Sequence, residues 1–274
     1  YMFNLVLYPQ DFIYLTALLV ISAYGLFLFT TVAGRLWCGY ACPQTVYTEM
    51  FMWIENKIEG NRAKRMKMDK SPWTAEKLGR KAAKHGAWIT LALWTGYTFV
   101  GYFTPIRVLA TEVVTLGMGP WEIFWVLFYG FATYGNAGFM REQVCKYMCP
   151  YARFQSAMFD RDTLIISYDT KRGEPRGSRS RKTDAQSKGQ GDCIDCTLCV
   201  QVCPTGIDIR NGLQYECIGC AACIDVCDSV MDKMGAPRGL IRYATLNSMD
   251  NGWGRKEMWA RVTRPRVLIY TAIL

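Results

Sequence analysis

The chain has 274 residues, is 51% hydrophobic and 14% aromatic, and carries a formal net charge of +9. Its mean hydropathy is close to zero, an average over long apolar runs and strongly basic stretches, which excludes a small, charge-rich soluble domain. No nucleic-acid recognition motif accompanies the basic charge, so no nucleic-acid partner is expected and contact with lipid headgroups explains it better.

The sequence opens at Tyr1 instead of a methionine, with no signal-peptide n-region or cleavage site in residues 1–11. Its last apolar run stops with the chain, so the natural protein is expected to continue past both ends. Residues 12–33 contain no charge, and a bilayer core needs about 20 apolar residues of helix. A transmembrane helix is predicted there. Just past it stand Cys38 and Cys42, followed by Pro43. Cysteines four apart share one face of a helix, and the proline stops that helix and suits the first turn of the next. In the following stretch Tyr47, Met50, Phe51, Ile54 and Ile58 share a face, which predicts a helix lying along the membrane surface.

Between Lys57 and His85 ten Lys or Arg face three acids, Glu59, Asp69 and Glu76. Positive charge accumulates on the cytoplasmic side of short loops, so segment 57–85 is expected there. Residues 87–104 and 121–140 are aromatic-rich with one charge, Glu122; they read as second and third spans, the alternative being buried helices of a large soluble core. The connection from Pro105 to Pro120 is then placed on the far side. His85, the single histidine, excludes bis-histidine haem and reads as an interfacial side chain rather than a ligand.

Past the third predicted span come Cys145 and Cys149, followed by Pro150. Residues 38–47 and 145–154 align at both cysteines, at Tyr40 and Tyr147, at the proline and at an aromatic, Tyr47 and Phe154. The simplest account is a duplicated unit of helix, C-x-x-x-C-P and amphipathic segment. Packed about a pseudo-twofold axis, the halves would bring four soft sulfurs together, able to hold Cu(I), a further iron–sulfur centre or redox-active disulfides. The plain alternative is that free cysteine packs as a small apolar residue; the duplicated spacing with proline weighs against it.

Residues 163–168 read as a strand, with 240–245 as its partner, and the polar stretch from Lys171 to Asp192 reads as a flexible tether. Then come Cys193, Cys196, Cys199 and Cys203, and Cys217, Cys220, Cys223 and Cys227. Each half is C-x-x-C-x-x-C-x-x-x-C, the first closed by Pro204, the spacing by which bacterial-type ferredoxins hold two [4Fe–4S] cubanes. Three thiolates of one tight loop reach three irons, and the fourth cysteine ligates the other cluster. The expected sets are Cys193, Cys196, Cys199 and Cys227 for one cluster, and Cys217, Cys220, Cys223 and Cys203 for the other. Zinc needs no such doubled run of three cysteines and a fourth, so the chemistry is one-electron transfer. With neither G-x-G-x-x-G nor a Walker motif, electrons are expected from a partner or from a cofactor that no motif locates.

A fourth apolar run starts at Val267 and ends with the chain. The expected fold is therefore a membrane α-helical protein, with a duplicated transmembrane helix plus C-x-x-x-C-P unit and a cytoplasmic two-cluster ferredoxin domain. The divisions are a transmembrane region (1–160), a strand and polar linker (161–192), the ferredoxin-like domain (193–250) and a return to the membrane (251–274).

GRLWCGYACPQTVYTEMFMWIE (34–55), YGNAGFMREQVCKYMCPYARFQ (134–155) and GDCIDCTLCVQVCPTGIDIRNGLQYECIGCAACIDVC (191–227) closely resemble the cytochrome c oxidase accessory proteins of the CcoG or FixG type, from about Tyr8 to Tyr243. The resemblance implies a multi-pass protein of the bacterial inner membrane with cytoplasmic clusters, required to assemble a cbb-type haem–copper oxidase. It implies a cupric reductase that supplies Cu(I) to copper chaperones or transporters. The family also has an earlier transmembrane helix and a periplasmic immunoglobulin-like C-terminal domain, both outside this sequence. Asp228 departs from the family in standing where ferredoxins often have proline. On this footing a cytoplasmic donor feeds two [4Fe–4S] clusters, and Cu(II) is reduced at Cys38, Cys42, Cys145 and Cys149, the candidate catalytic and copper-binding residues. A second copy of the chain is a candidate partner. The alternatives are an electron relay between a quinone pool or cytoplasmic donor and a periplasmic reductase, and a non-enzymatic assembly scaffold.

Overall fold

The computed structural model describes residues 12–180 and 189–274. In chain order the first helices are α1 (Phe12–Ala33), α2 (Leu36–Tyr40), α3 (Pro43–Glu59), α4 (Arg62–Lys70), α5 (Ala75–Val100), α6 (Ile106–Thr115), α7 (Pro120–Gly138) and α8 (Arg141–Gln143). A π turn, Val144–Met148, leads to α9 (Pro150–Met158), strand β1 (Ile165–Tyr168), α10 (Thr170–Gly173) and α11 (Leu198–Gln201). Then follow α12 (Ala222–Met234), β2 (Ile241–Ala244), α13 (Leu246–Asn251), α14 (Arg255–Ala260) and α15 (Pro265–Ile273).

Two compact units result, and they do not follow the linear division expected at residue 160. One comprises Tyr1–Tyr40 with Cys145–Leu274, the other Ala41–Val144. Each C-x-x-x-C-P segment straddles or abuts a boundary, so Cys38, Cys145 and Cys149 belong to the first unit and Cys42 to the second.

In the first unit α1 matches the predicted span from Phe12 to Ala33. Among the described residues it is the one helix long and apolar enough by itself to cross a membrane, while α6 and α7 pass only as a pair, across a 98° bend. The chain turns at Gly34, whose φ of +59° suits glycine and whose missing side chain leaves room for the Leu164 carbonyl. The Thr31 carbonyl accepts from the Thr163 hydroxyl at 2.8 Å and from Arg264 at 2.7 Å, and Leu164 N–H donates to the Val32 carbonyl at 3.1 Å. The helix end is thereby fastened to the start of β1. Both expected strands form, antiparallel, with Ile165 opposite Ala244 and Tyr168 opposite Ile241. Ile166, Tyr168, Leu240, Ile241, Val230 and Met231 make a core with Cys193 and Cys199.

The stretch expected to be a tether is ordered on both flanks. Arg172 pairs with Asp192 at 2.5 Å, Gly191 N–H donates to the Pro175 carbonyl at 2.9 Å, and Gly177 N–H to that of Cys193 at 3.1 Å. Its arginines bond backbone carbonyls that composition alone leaves out of account, and the rest of the expected tether, 181–188, lies outside the described residues.

The second unit corrects the surface-helix expectation. Phe51 is fully buried and stacks on Trp88 at 5.2 Å, with Ala92 and Ala137 completing the core and Tyr47 and Ile54 packed around it. The Tyr47, Phe51 and Ile54 part of the α3 face is therefore taken up by α5 and α7, while Met50 stays exposed. Helix α5 begins at Ala75 instead of 87, because Thr74 caps it by accepting from Lys77 N–H at 3.2 Å with Glu76 in the first turn. The basic segment is partly spent on internal pairs: Glu59 takes Lys84 at 2.9 Å and Lys81 at 3.2 Å, and Glu55 takes Arg65 at 2.5 Å and Arg141 at 3.3 Å. His85 Nδ1 lies 2.9 Å from the Tyr134 hydroxyl. Within the expected far-side connection, α6 forms.

Candidate iron–sulfur and thiol centre

The two cysteine loops share a backbone device that spacing does not reveal. Asp195 and Thr197 in the first loop have φ of +54° and +57°, and Gly219 and Ala221, two and four residues after Cys217 as Asp195 and Thr197 are after Cys193, have +71° and +63°. Three of the four are not glycine, and such positions cost about 1–3 kcal/mol each unless the surroundings demand them. Residues of alternating hand turn successive amide N–H groups into one concavity, a nest that suits anionic iron–sulfur centres. Helices α11 and α12 start directly after the left-handed Thr197 and Ala221.

The nests open onto two pockets. One is walled by Cys193, Cys196, Cys199 and Cys227 with Leu198, Val230, Leu240 and Ile241. The other is walled by Cys203, Cys217, Cys220 and Cys223 with Ile166, Ile207 and Ile218, and Cys199 borders it as well. The fourth cysteine of each run thus stands with the three of the other loop. Burial is the main cause that pushes the Cys217 thiol up to about 11 and the Cys227 thiol up to about 12, and it raises Cys199 and Cys223 too. These sulfurs become thiolates at neutral pH only when a metal displaces their protons. Apolar walls, sulfur-only donors and nested amides fit a cubane in each pocket.

Charge is distributed unevenly between them. Arg210 borders the first pocket, but its guanidinium is spoken for: it bonds Asp208 at 2.7 Å and Asp195 as well. Beside the second pocket stands Arg35, 5% exposed, which shares a small cleft with Cys217 and Gly219.

The C-x-x-x-C-P cysteines occupy helix ends, not one continuous helical face. Cys38 is inside α2, whereas Cys42 is the extended residue before α3, with ψ of 127°. Cys145 is inside the π turn and Cys149 is the extended residue before α9, with ψ of 110°. Proline at the next position forbids helical geometry to both Cys42 and Cys149, which corrects the expectation of paired sulfurs on one face. The Cys38 thiol donates to Gln155 Oε1 at 3.3 Å, and buried Gln155 reaches Thr30 at 3.4 Å. Among the described residues no three His, Cys, Asp or Glu side chains converge on a point where one metal ion would sit.

What the sequence did not announce is how closely the first thiol motif meets the second cluster loop. A methyl group on Gly39 would stand 2.8 Å from the carbonyl of Gly219 and 2.9 Å from that of Ile218. Tyr243 donates to the Gly219 carbonyl at 2.6 Å, so the 3.2 Å contact between Tyr40 and Tyr243 has Tyr40 as donor. The one signal available beforehand was the glycine between two cysteines, at a place with no turn to explain it.

Residues 140–246 match the 4Fe–4S dicluster domain family, and residues 15–61 match a 4Fe–4S binding domain family. The chain is 42% identical to nitrogen fixation protein FixG of Rhizobium meliloti, and 43% and 44% identical to proteins RdxA and RdxB of Cereibacter sphaeroides, in each case along all of its own length. It spans 57% of the first relative and 58% of the other two, little more than half of each. No solved structure matches it. Sequence families and pocket chemistry agree that the chain carries two [4Fe–4S] clusters.

Proposed function

The chain belongs to the FixG-type family of 4Fe–4S proteins, and from that premise we propose that it is a membrane-bound carrier delivering single electrons to Cu(II). It is an iron–sulfur electron-transfer protein, and the role of oxidoreductase follows. In this reading Cys193, Cys196, Cys199 and Cys227 hold one cluster, and Cys217, Cys220, Cys223 and Cys203 the other. When bound, the clusters supply one-electron reducing equivalents. Isoleucine, leucine and valine side chains wall the two pockets, although Cys196 is exposed, and Gly39 lets α2 lie directly on the second cluster loop. The single observation that carries the reading is this contact of Gly39 with Gly219, which leaves no intervening side chain between a cluster loop and a soft-sulfur motif.

At Cys38, Cys42, Cys145 and Cys149, Cu(II) takes one electron and becomes Cu(I), the state that thiolates prefer. The acceptors would be copper chaperones or transporters serving assembly of a cbb-type oxidase, and the donor a cytoplasmic protein drawn to basic surface. The membrane setting is supported by α1, whose apolar side chains from Phe12 to Ile21 are exposed, and by Gly96 of α5 lying against the Val126 carbonyl of α7, a small-residue crossing of the kind membrane helices use. We place segment 57–85 and the cluster region in the cytoplasm of a multi-pass inner-membrane protein.

Cysteine substitution tests the proposal. Cys42→Ser or Cys149→Ser should abolish Cu(II) reduction while iron content and visible spectrum of the clusters persist. A double variant reducing Cu(II) at the parent rate would return the four thiols to a packing role. One observation favours a second acceptor: an apolar cavity at the end of α1, lined by Val32, Leu36, Met258, Trp259 and Val262, reaches Tyr243 and suits a quinone ring. Oxidation of the prereduced clusters by quinone and not by Cu(II) would favour that reading.

A further inference from the structure

Among the described residues Arg35 is a buried cation on which the charges that act most are thiols and not carboxylates. Its Nη2 donates to the Ala152 carbonyl, while its buried Nε has no hydrogen-bond partner. Burial lowers the guanidinium pKa, and the charges that draw it back up are those of thiols, Cys38, Cys217, Cys145 and Cys149, with no carboxylate among them. An arginine stays protonated in such a setting, and an uncompensated buried charge costs several kcal/mol. A cubane ligated by four thiolates is a dianion when oxidised and a trianion when reduced, so it supplies the missing negative charge. The other pocket is built differently, since Arg210 is already neutralised by Asp208 and Asp195.

We propose that Arg35 is the counter-ion of the cluster held by Cys217, Cys220, Cys223 and Cys203, and makes it the more easily reduced of the two. A fixed positive charge favours the trianion over the dianion, and net charge around a cluster is one of the determinants of its potential. One electron then leaves the Cys193 cluster, which is oxidised by one unit, and enters the Cys217 cluster, which is reduced by one unit. Position completes the argument. Arg35 precedes α2 directly, the Gly219 side-chain direction points at its carbonyl from 3.3 Å, and the electron is thus drawn to the cluster beside the thiol motif. Arg35 is a positioning residue for charge, acting through the cluster and ligating nothing.

The inference rests on the two-cluster part of the proposed function alone, so it stands or falls independently of Cu(II) reduction. EPR-monitored redox titration of the whole purified chain tests it in Arg35→Gln. One of the two reduction steps should move to lower potential, by about 59 mV for each tenfold loss of electron affinity in a one-electron couple, and the other should stay. Arg35→Lys, which keeps the charge, should restore most of the shift. Gln214→Glu sets a carboxylate in the cleft that Arg35 lines and should lower the same step without removing the arginine, which preserves the test if Arg35→Gln fails to hold iron. Unmoved steps in iron-replete Arg35→Gln, or in Gln214→Glu, would overturn the proposal. So would a lysine variant that shifts as far as the glutamine one.

Discussion

Gly39 and Gly219 meet backbone to backbone, and a side chain on Gly39 would overlap the Gly219 carbonyl from 2.8 Å. Gly39→Ala therefore has to displace either α2 or the second cluster loop. Overpacking of this kind costs about 1–3 kcal/mol. Stopped-flow mixing of prereduced protein with Cu(II) should show slower oxidation of the clusters, while iron per chain is unchanged. Oxidation at the parent rate would show that electrons leave by a path that avoids this contact.

Two reciprocal substitutions probe the crossed cysteine sets. Cys203→Ser should damage the cluster in the pocket of Cys217, Cys220 and Cys223, and Cys227→Ser the cluster in the pocket of Cys193, Cys196 and Cys199. Each variant should fall from about eight irons per chain toward about four. The two remaining EPR signals should differ from one another. Matching residual signals would show that each loop keeps its own fourth cysteine.

Most of this centre was legible in the spacing of its sulfurs, because a rigid inorganic core dictates where thiolates stand along a chain. The strand pair was legible too, from two short apolar runs, Ile165–Tyr168 and Ile241–Ala244. Arg35 was not. A lone arginine past an apolar helix looks like an interfacial anchor, and only the fold reveals that the turn at Gly34 carries it inward. The face of α3 misled for a related reason: periodicity reports that Phe51 and Ile54 seek apolar company, but not whether lipid or α5 and α7 provide it. Helical spacing of Cys38 and Cys42 failed at the proline, a local steric effect that outranks periodicity.

The ion pairs of the second unit predict how it responds to acid. Burial would raise the Glu55 carboxyl, but Arg141, Arg65 and Lys84 outweigh it and hold the group below its usual range. A depressed carboxylate contributes stability above its unfolded value, about 4.3, and loses it as pH falls through the lower folded value. Thermal unfolding in detergent should show this contribution at neutral pH and its loss under acid. Glu55→Gln should remove it, at a neutral-pH cost of about 3–5 kcal/mol, since Arg65 and Arg141 lose their carboxylate while Lys84 keeps Glu59. An unfolding temperature equal to that of the parent at neutral pH would show that the pairs are neutral in balance.

Topology gives the final test. The ten cations between Lys57 and His85 are reduced in effect by the pairs that Arg65, Lys81 and Lys84 make with Glu55 and Glu59, and the segment still carries a large excess of Lys and Arg over acids. The proposed topology puts this segment in the cytoplasm on the strength of the charge that remains. Ser71, at the exposed end of α4, and Val114, 84% exposed in α6, should then lie on opposite sides of the membrane. In intact cells an impermeant thiol reagent should label Val114→Cys and spare Ser71→Cys, above the background of the parent chain. After permeabilisation both should react. Labelling of Ser71→Cys in intact cells, with Val114→Cys protected, would reverse the orientation and move the clusters to the opposite face.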